Sequence, residues 1–154
     1  MVVKITKSAF EGMIEDSEQG YPYEVCGVMI GKDDIITDFK KCKNLVNEDD
    51  VQTEWKSEKN LDKSRMKDRF ELDPKDFMIA DNWARENKLE ILGIYHSHPD
   101  HPSRPSETDR EVASPFWGYI IFSIQKGKFD NAKIWYINES DFQFEEKEFE
   151  IIED

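Results

Sequence analysis

The sequence predicts an α/β fold in which helices flank a mixed β-sheet. Two observations support this prediction. Apolar and alternating runs typical of strands are interleaved with segments of helical periodicity, and the connections between them are rich in turn-forming residues. The 154 residues, 38% of them hydrophobic, can bury one sizeable core. We therefore expect a single domain over residues 1–154.

The elements predicted before the central strand are strands at 1–5, 25–31 and 34–42 and helices at 6–18 and 74–87. The first strand is expected at a sheet edge. Because the amino-terminal residues lack a long apolar stretch, we expect neither a signal peptide nor a membrane span, and therefore a cytoplasmic protein. Residues 47–69 are highly charged, which predicts an irregular, mobile segment that becomes ordered against a substrate.

Each predicted helix has an apolar face. In the first helix this face consists of Phe10, Met13 and Ile14. The second helix has Asp73 as its capping residue and Pro74 at its first position. Its side chains expected toward the core are Phe77, Ala80, Trp83 and Ala84. Both helices are therefore predicted to pack on the sheet.

The central strand, residues 89–98, is almost entirely apolar until it reaches His96 and His98. Such a run is typical of a strand buried on both faces. Alternation predicts that Leu92, Ile94 and both histidines share one face, with the imidazoles about 6.6 Å apart along the backbone. All three histidines of the chain fall between His96 and His101. Two of them are spaced to bind one metal ion.

A proline-rich turn after this strand leads to a predicted helix that begins at Ser106 and ends before Pro115. Asp109 lies in its first turn, three residues after the capping serine. Two neutral imidazoles and this carboxylate leave the fourth position of a tetrahedral zinc ion for water, as in catalytic zinc sites. Ser106 and Asp109 are also a common capping pair. Strands at 117–124, 132–137 and 142–151 complete the prediction.

The ordered residues His96-Ser97-His98-Pro99 and Ser106-x-x-Asp109, with an upstream Glu24, resemble the JAMM motif of the MPN-domain metalloproteases. The resemblance covers most of the chain and is closest to short prokaryotic members. It implies a curved mixed sheet with a layout similar to the cytidine deaminases. It also implies one catalytic zinc ion bound by His96, His98 and Asp109.

By the same resemblance, Glu24 acts as general acid and base on the zinc-bound water, and Ser106 stabilises the oxyanion. His101 and Ser97 are expected to support the site or contact substrate rather than bind zinc. The implied reaction is hydrolysis of the amide bond after the C-terminal diglycine of a ubiquitin-like or sulfur-carrier protein. A protein lysine and a free amino acid both remain as leaving groups.

Two alternatives remain open: a non-catalytic MPN-type scaffold module, and a zinc hydrolase of small amides. The net charge of −13 disfavours nucleic acid as a partner, because phosphate binding needs clustered basic residues. Cys26 and Cys42 are too few and too far apart in sequence to indicate a disulfide framework. Cys26 is expected to be a small buried residue on the same strand face as Glu24.

Overall fold

The computed structural model describes residues 2–46, 70–106, 109 and 113–154. Its eight strands are β1 (Val3–Thr6), β2 (Cys26–Lys32), β3 (Ile35–Cys42), β4 (Glu90–Pro99), β5 (Gly118–Gln125), β6 (Lys128–Ile137), β7 (Phe144–Lys147) and β8 (Phe149–Ile152). Two helices, α1 (Lys7–Gly20) and α2 (Pro74–Glu86), are found within these described residues. Neither of those helices is long and apolar enough to cross a membrane.

All eight strands form one sheet in the order β7-β6-β5-β4-β2-β3-β1-β8. Strand β4 lies in its middle, antiparallel to β2 and parallel to β5. Parallel pairs also join β1 to β3 and to β8. The predicted mixed sheet with flanking helices is therefore confirmed, and so is the central position of the strand that ends in the histidines.

The two helices lie over separate apolar clusters. Helix α1 begins after Thr6, whose hydroxyl accepts the Ala9 N–H at 3.4 Å, and it buries Met13 with Phe10 and Ile14 packed beside it. Helix α2 packs on the other cluster through residues that include the buried Ala80 and Ala84 and the partly buried Phe77 and Trp83. The apolar faces predicted for both helices are confirmed.

The first strand is not at an edge of the sheet, so that prediction was wrong. Strand β1 lies between β3 and β8, and Val3–Thr6 pairs in register with Phe149–Ile152. The single strand predicted at 142–151 was also wrong. It is divided into β7, which pairs with β6, and β8, which pairs with β1 at the opposite edge. The prediction at 132–137 began too late, because β6 already starts at Lys128.

Strand β4 contains a β-bulge that changes which side chains share a face. Met29 pairs with Gly93 while the next residue, Ile30, pairs with Ile91, which leaves Leu92 as the extra residue. A bulge of one residue reverses the alternation beyond it. Leu92 consequently packs on the α1 side and Ile94 on the α2 side. The prediction that Leu92 shares the face of the histidines was wrong.

Two predictions fall on residues outside the described part of the chain. One is the charged segment 47–69, and the other is the body of the helix expected after Ser106, of which only Asp109 is described. The structure does describe the residues on either side of segment 47–69. Leu45 N–H donates to Glu71 O at 2.8 Å, and Asn44 forms an isolated bridge with Leu72. Its two flanks are therefore held side by side next to β3.

Candidate metal centre

The C-terminal end of β4 supplies two buried imidazoles. His96 is 1% exposed and His98 is 7% exposed, and their ring centroids lie 4.9 Å apart. In the sheet, His96 is flanked by Cys26 of β2 and Ile121 of β5. Residues two apart project on the same side of a strand. The local pattern of β4 therefore brings both rings to one site, as the sequence predicted.

Asp109 is buried beside these rings and is held by Ser106. The Ser106 N–H donates to Asp109 Oδ2 at 2.8 Å, and the Asp109 N–H donates to Ser106 Oγ at 3.1 Å. This reciprocal pair is the hydrogen-bond pattern of a capping box. It fixes the orientation of the carboxylate, and it confirms the capping relation that the spacing of the two residues predicted.

The distances within this group are those of side chains around one ion. His96 Nε2 lies 3.7 Å from Asp109 Oδ1, and His98 Nε2 lies 3.3 Å from Asp109 Oδ2. Charge-assisted hydrogen bonds are shorter, about 2.7–2.9 Å. Two ligands of tetrahedral zinc, each about 2.0–2.2 Å from the ion, are separated by about 3.3–3.5 Å. The Asp109 carboxylate therefore lies near the separation expected of a zinc ligand from each imidazole, through Oδ1 toward His96 and Oδ2 toward His98.

Glu24 approaches His96 from the opposite side. Its side chain is fully buried, and Oε1 lies 3.4 Å from His96 Nδ1. One ligand atom from each of Glu24, His96 and His98 also lies within 4.8 Å of the other two. Strand β2 brings Glu24 there, because Cys26, two residues later, pairs with His96. The structure thus places two carboxylates around one imidazole pair, and either can complete a metal-binding set.

The tautomer of His98 is set by the turn that follows β4. His98 Nδ1 lies 2.8 Å from the carbonyl of Pro102, so this nitrogen carries the proton and Nε2 is free to bind a metal. The next carbonyl, that of Ser103, accepts the indole N–H of Trp135 at 2.9 Å. Ser103 Oγ is in addition hydrogen-bonded to Asn131. Strand β6 therefore anchors the turn that orients His98.

The charge states of the site suit metal binding. Burial lowers the pKa of His96 to about 4, against the opposing effect of Asp109, so its imidazole is neutral at pH 7. Burial alone would raise the pKa of Asp109, but the two imidazoles and the Ser106 N–H outweigh it and lower this pKa to about 2. A neutral imidazole and an ionised carboxylate are the forms that bind zinc.

His101 and Ser97 lie beside the site in different ways. His101 is exposed and lines a cavity of about 490 Å³, together with Arg104, Ser106 and the rim of His98. Ser97 is fully buried, and its hydroxyl accepts the Val25 N–H at 2.9 Å. The hydroxyl of Ser97 therefore fastens the backbone next to Glu24.

Two residues near the site were missed by the sequence analysis. Phe70 stacks on His96 with ring centroids 4.4 Å apart and an interplanar angle of 28°. Asn44 is 7% exposed and donates from Nδ2 to the Glu24 carbonyl at 3.1 Å. Each is distant in sequence from its partner, so no local spacing could have indicated the contact. The only available signal was that Asn44 is a polar residue two positions after the strand that ends at Cys42.

The two cysteines face each other across β2 and β3 as free thiols. Cys26 pairs with Cys42 in the antiparallel register, and both are buried. Burial is the largest effect on both thiols. It raises the pKa of Cys26 far above its usual range and that of Cys42 to about 12. The expectation that Cys26 is a small buried residue is confirmed.

The chain matches a protein-family model described as prokaryotic homologues of the JAB domain over residues 6–138. The chain belongs to this family. The matched range contains Glu24, both histidines, Ser106 and Asp109, and the match confirms the JAMM/MPN relationship that these residues indicated in the sequence.

Three curated relatives share parts of the sequence. A desampylase of Pyrococcus furiosus is 28% identical over 75% of this chain and 68% of its own length. A desampylase of Haloferax volcanii is 40% identical over 35% of this chain and 40% of its own length. The tail tip assembly protein K of Escherichia phage N15 is 31% identical over 58% of this chain, which covers 28% of that protein.

Solved structures with the same fold cover nearly the whole chain. A protein of Desulfitobacterium hafniense has a TM-score of 0.75 at 26% identity and covers 99% of this chain and 94% of its own. A JAB1/MPN domain protein of Archaeoglobus fulgidus has a TM-score of 0.59 at 18% identity and covers 98% of this chain and 100% of its own. At 18% identity, the similarity to the Archaeoglobus fulgidus protein shows the fold alone. The predicted JAMM/MPN fold is therefore confirmed.

Proposed function

We propose that this protein is a zinc-dependent isopeptidase. It hydrolyses the amide bond that follows the C-terminal diglycine of a ubiquitin-like or sulfur-carrier protein. In this proposal His96, His98 and Asp109 bind the single zinc ion, Glu24 acts as general acid and base on the attacking water, and Ser106 stabilises the oxyanion. The observation that carries it is the convergence of these five side chains at one buried end of β4.

The burial of this cluster argues for catalysis rather than scaffolding. Glu24 is 1% exposed, His96 1% and Asp109 6%. Burying ionisable groups weakens the fold unless they are paired or bind a metal. A module that acts only as a scaffold gains nothing from keeping them together. Natural proteins accept the cost of such buried ionisable groups mainly at functional sites.

Glu24 is proposed as the proton carrier of the reaction. A bound zinc ion would supply Lewis acidity and lower the pKa of a water molecule to about 7. The Glu24 carboxylate, 3.4 Å from His96 and shielded from solvent, would accept a proton from the attacking water. It would then deliver that proton to the amine that leaves. This proposal is supported by the approach of Glu24 to within 4.8 Å of a ligand atom of both His96 and His98, because a general base must lie close to the proton that it accepts.

Ser106 can donate to the oxyanion without giving up its capping contact. A hydroxyl has one donor hydrogen and two acceptor lone pairs. The contact from the Asp109 N–H uses one lone pair, which leaves the hydrogen of Ser106 Oγ available. Ser106 also lines the open cavity next to His98, where a substrate carbonyl can enter. We therefore propose that Ser106 serves both roles at once.

The substrate class is supported by the family and by two of its relatives. Both desampylases named above match this chain, and the resemblance to short prokaryotic JAMM proteins implies a carrier that ends in diglycine. A slender diglycine tail suits a site whose ligands are buried behind a cavity of about 490 Å³. Acidic surfaces disfavour phosphate-rich partners, and the net charge is −13.

The test is cleavage of a ubiquitin-like protein that carries extra residues after its diglycine. Zinc-loaded protein is expected to release the carrier with a free diglycine carboxylate, and Glu24→Gln is expected to abolish turnover while zinc stays bound. Arg85→Gln, on the exposed part of α2, is the control and should cleave normally. A protein that binds zinc but cleaves neither this substrate nor small amides would be a scaffold. Cleavage of small amides alone would identify the second alternative.

A further inference from the structure

Asn44 is a buried amide at the junction between β3 and the backbone that bears Glu24. It lies two residues after Cys42, is 7% exposed, and pairs with Leu72 in an isolated bridge. Buried side-chain amides are normally satisfied by hydrogen bonds because leaving them unpaired is costly. The partners of Asn44 therefore indicate what this residue holds in place.

The hydrogen bonds of Asn44 determine the orientation of its amide. Its Oδ1 accepts the Val46 N–H at 3.1 Å and the Glu71 N–H at 2.9 Å. Its Nδ2 donates to the carbonyl of Glu24 at 3.1 Å. Two N–H donors require the oxygen on one side, and a carbonyl requires the nitrogen on the other. Asn44 thus joins the Glu24 backbone to two further segments.

The carbonyl of Glu24 and the N–H of Val25 belong to the same peptide group. Asn44 holds the carbonyl, while the Ser97 hydroxyl accepts the N–H at 2.9 Å and the Ser97 N–H donates to Val25 O at 3.0 Å. A peptide group is planar, so contacts at both of its polar atoms fix its plane. The Glu24 Cα atom lies in that plane, so holding the plane restricts the directions in which the Glu24 side chain can leave the backbone.

We infer that Asn44 is a positioning residue that, together with Ser97, clamps the Glu24–Val25 peptide and aims the Glu24 carboxylate at the reacting atoms. This inference rests on the proposed function of Glu24. Asn44 does not touch the substrate in this account; it acts only through Glu24. Outer residues that orient a catalytic group typically contribute about 10–100-fold to activity. A displacement of about 1 Å in a reacting group has an effect of the same order.

Asn44→Asp separates this role from general stability. At pH 8 the new carboxylate is ionised and only accepts hydrogen bonds. It keeps the contacts from Val46 and Glu71 but loses the donation to Glu24. We expect kcat for the diglycine-extended carrier to fall about 10–100-fold, with KM and zinc affinity unchanged within about twofold. Amide hydrogen exchange at Val25 should accelerate about tenfold, because the clamp opens more often.

Asn87→Asp is the matched control. Asn87 Nδ2 donates to the Trp83 carbonyl at 2.8 Å at the exposed end of α2, so the same substitution removes the same kind of bond away from the site. This variant should keep kcat and Val25 exchange at wild-type values. Asn44→Ala, which introduces no charge, is the second variant and should repeat the loss of kcat.

Several results would overturn the inference. One is a wild-type kcat in both Asn44 variants, and another is unchanged exchange at Val25 in Asn44→Asp. A loss of kcat that only follows a loss of folded protein, or failure of both variants to fold, would assign Asn44 to stability instead. Failure of the proposed function looks different, because either the wild-type protein would not cleave the diglycine-extended carrier or Glu24→Gln would cleave it as well as wild type. The exchange measurement needs no substrate and tests the clamp in either case.

Discussion

Replacement of Ser106 separates two roles that the structure combines in one hydroxyl. Ser106→Ala and Ser106→Gly both remove Oγ, and with it the bond from the Asp109 N–H at 3.1 Å. Neither substitution removes the bond of 2.8 Å from the Ser106 N–H to Asp109, because that donor is in the backbone. Both variants should therefore keep Asp109 oriented and bind zinc.

Loss of the capping contact and loss of the oxyanion donor should differ in size. Loss of a capping side chain destabilises a protein by about 0.5–2 kcal/mol when alanine replaces it, but by only a few tenths when glycine does. Loss of an oxyanion donor lowers kcat about 10²–10³-fold, or about 2.7–4 kcal/mol. With about 5–15 kcal/mol of total stability, both variants stay folded. Stability should therefore differ between alanine and glycine, whereas kcat should be equally low.

The assay is steady-state cleavage of the diglycine-extended carrier, with urea unfolding of the same samples. Equal losses of kcat in both variants, with glycine the more stable of the two, would support the double role. A kcat at the wild-type level in both would leave Ser106 with capping alone. A kcat that falls in Ser106→Ala but stays near the wild-type level in the more stable Ser106→Gly would also leave Ser106 with capping alone.

Three further predictions follow from contacts around the site. Trp135→Phe removes the indole donor to the turn that orients His98, so zinc affinity should fall about tenfold in a chelator competition; an unchanged affinity would argue against this anchor. The raised pKa values of Cys26 and Cys42 predict that neither thiol reacts with iodoacetamide at pH 8 until the protein is unfolded, and rapid labelling of the folded protein would contradict this. Burial raises the pKa of Asp16 in the folded protein above its pKa in the unfolded chain. The contribution of Asp16 to stability is therefore complete below the unfolded-state pKa and is lost as the pH rises through the folded-state pKa. Asp16→Asn should therefore be more stable relative to wild type at pH 7 than at pH 4 in urea unfolding, and an equal difference at both pH values would count against it.

Local patterns were sufficient for the parts of the fold that short-range physics controls. The apolar face of α1 and the buried run of β4 follow from periodicity alone. The capping pair of Ser106 and Asp109 follows from a spacing of three residues. The histidine pair follows from the twofold alternation of a strand. In each case the determining contacts lie within a few residues along the chain.

Features that depend on pairing between distant segments were not predictable from such patterns. The bulge at Leu92 arises from the register between β4 and β2. Strand β1 is not at the predicted edge because β8, at the other end of the sequence, pairs with it. Asn44 reaches Glu24 only because β3 lies next to β2. One sequence does not reveal these registers.

We propose that Asp109 binds zinc while Glu24 does not, although both carboxylates lie next to the imidazoles. Zinc stoichiometry after chelator treatment and reconstitution, compared between Glu24→Gln and Asp109→Asn, distinguishes the two carboxylates. Both substitutions keep the shape of the side chain. We predict one zinc ion per chain in Glu24→Gln and loss of zinc in Asp109→Asn. Loss of zinc in Glu24→Gln, with full occupancy in Asp109→Asn, would contradict it and assign the metal to Glu24, His96 and His98.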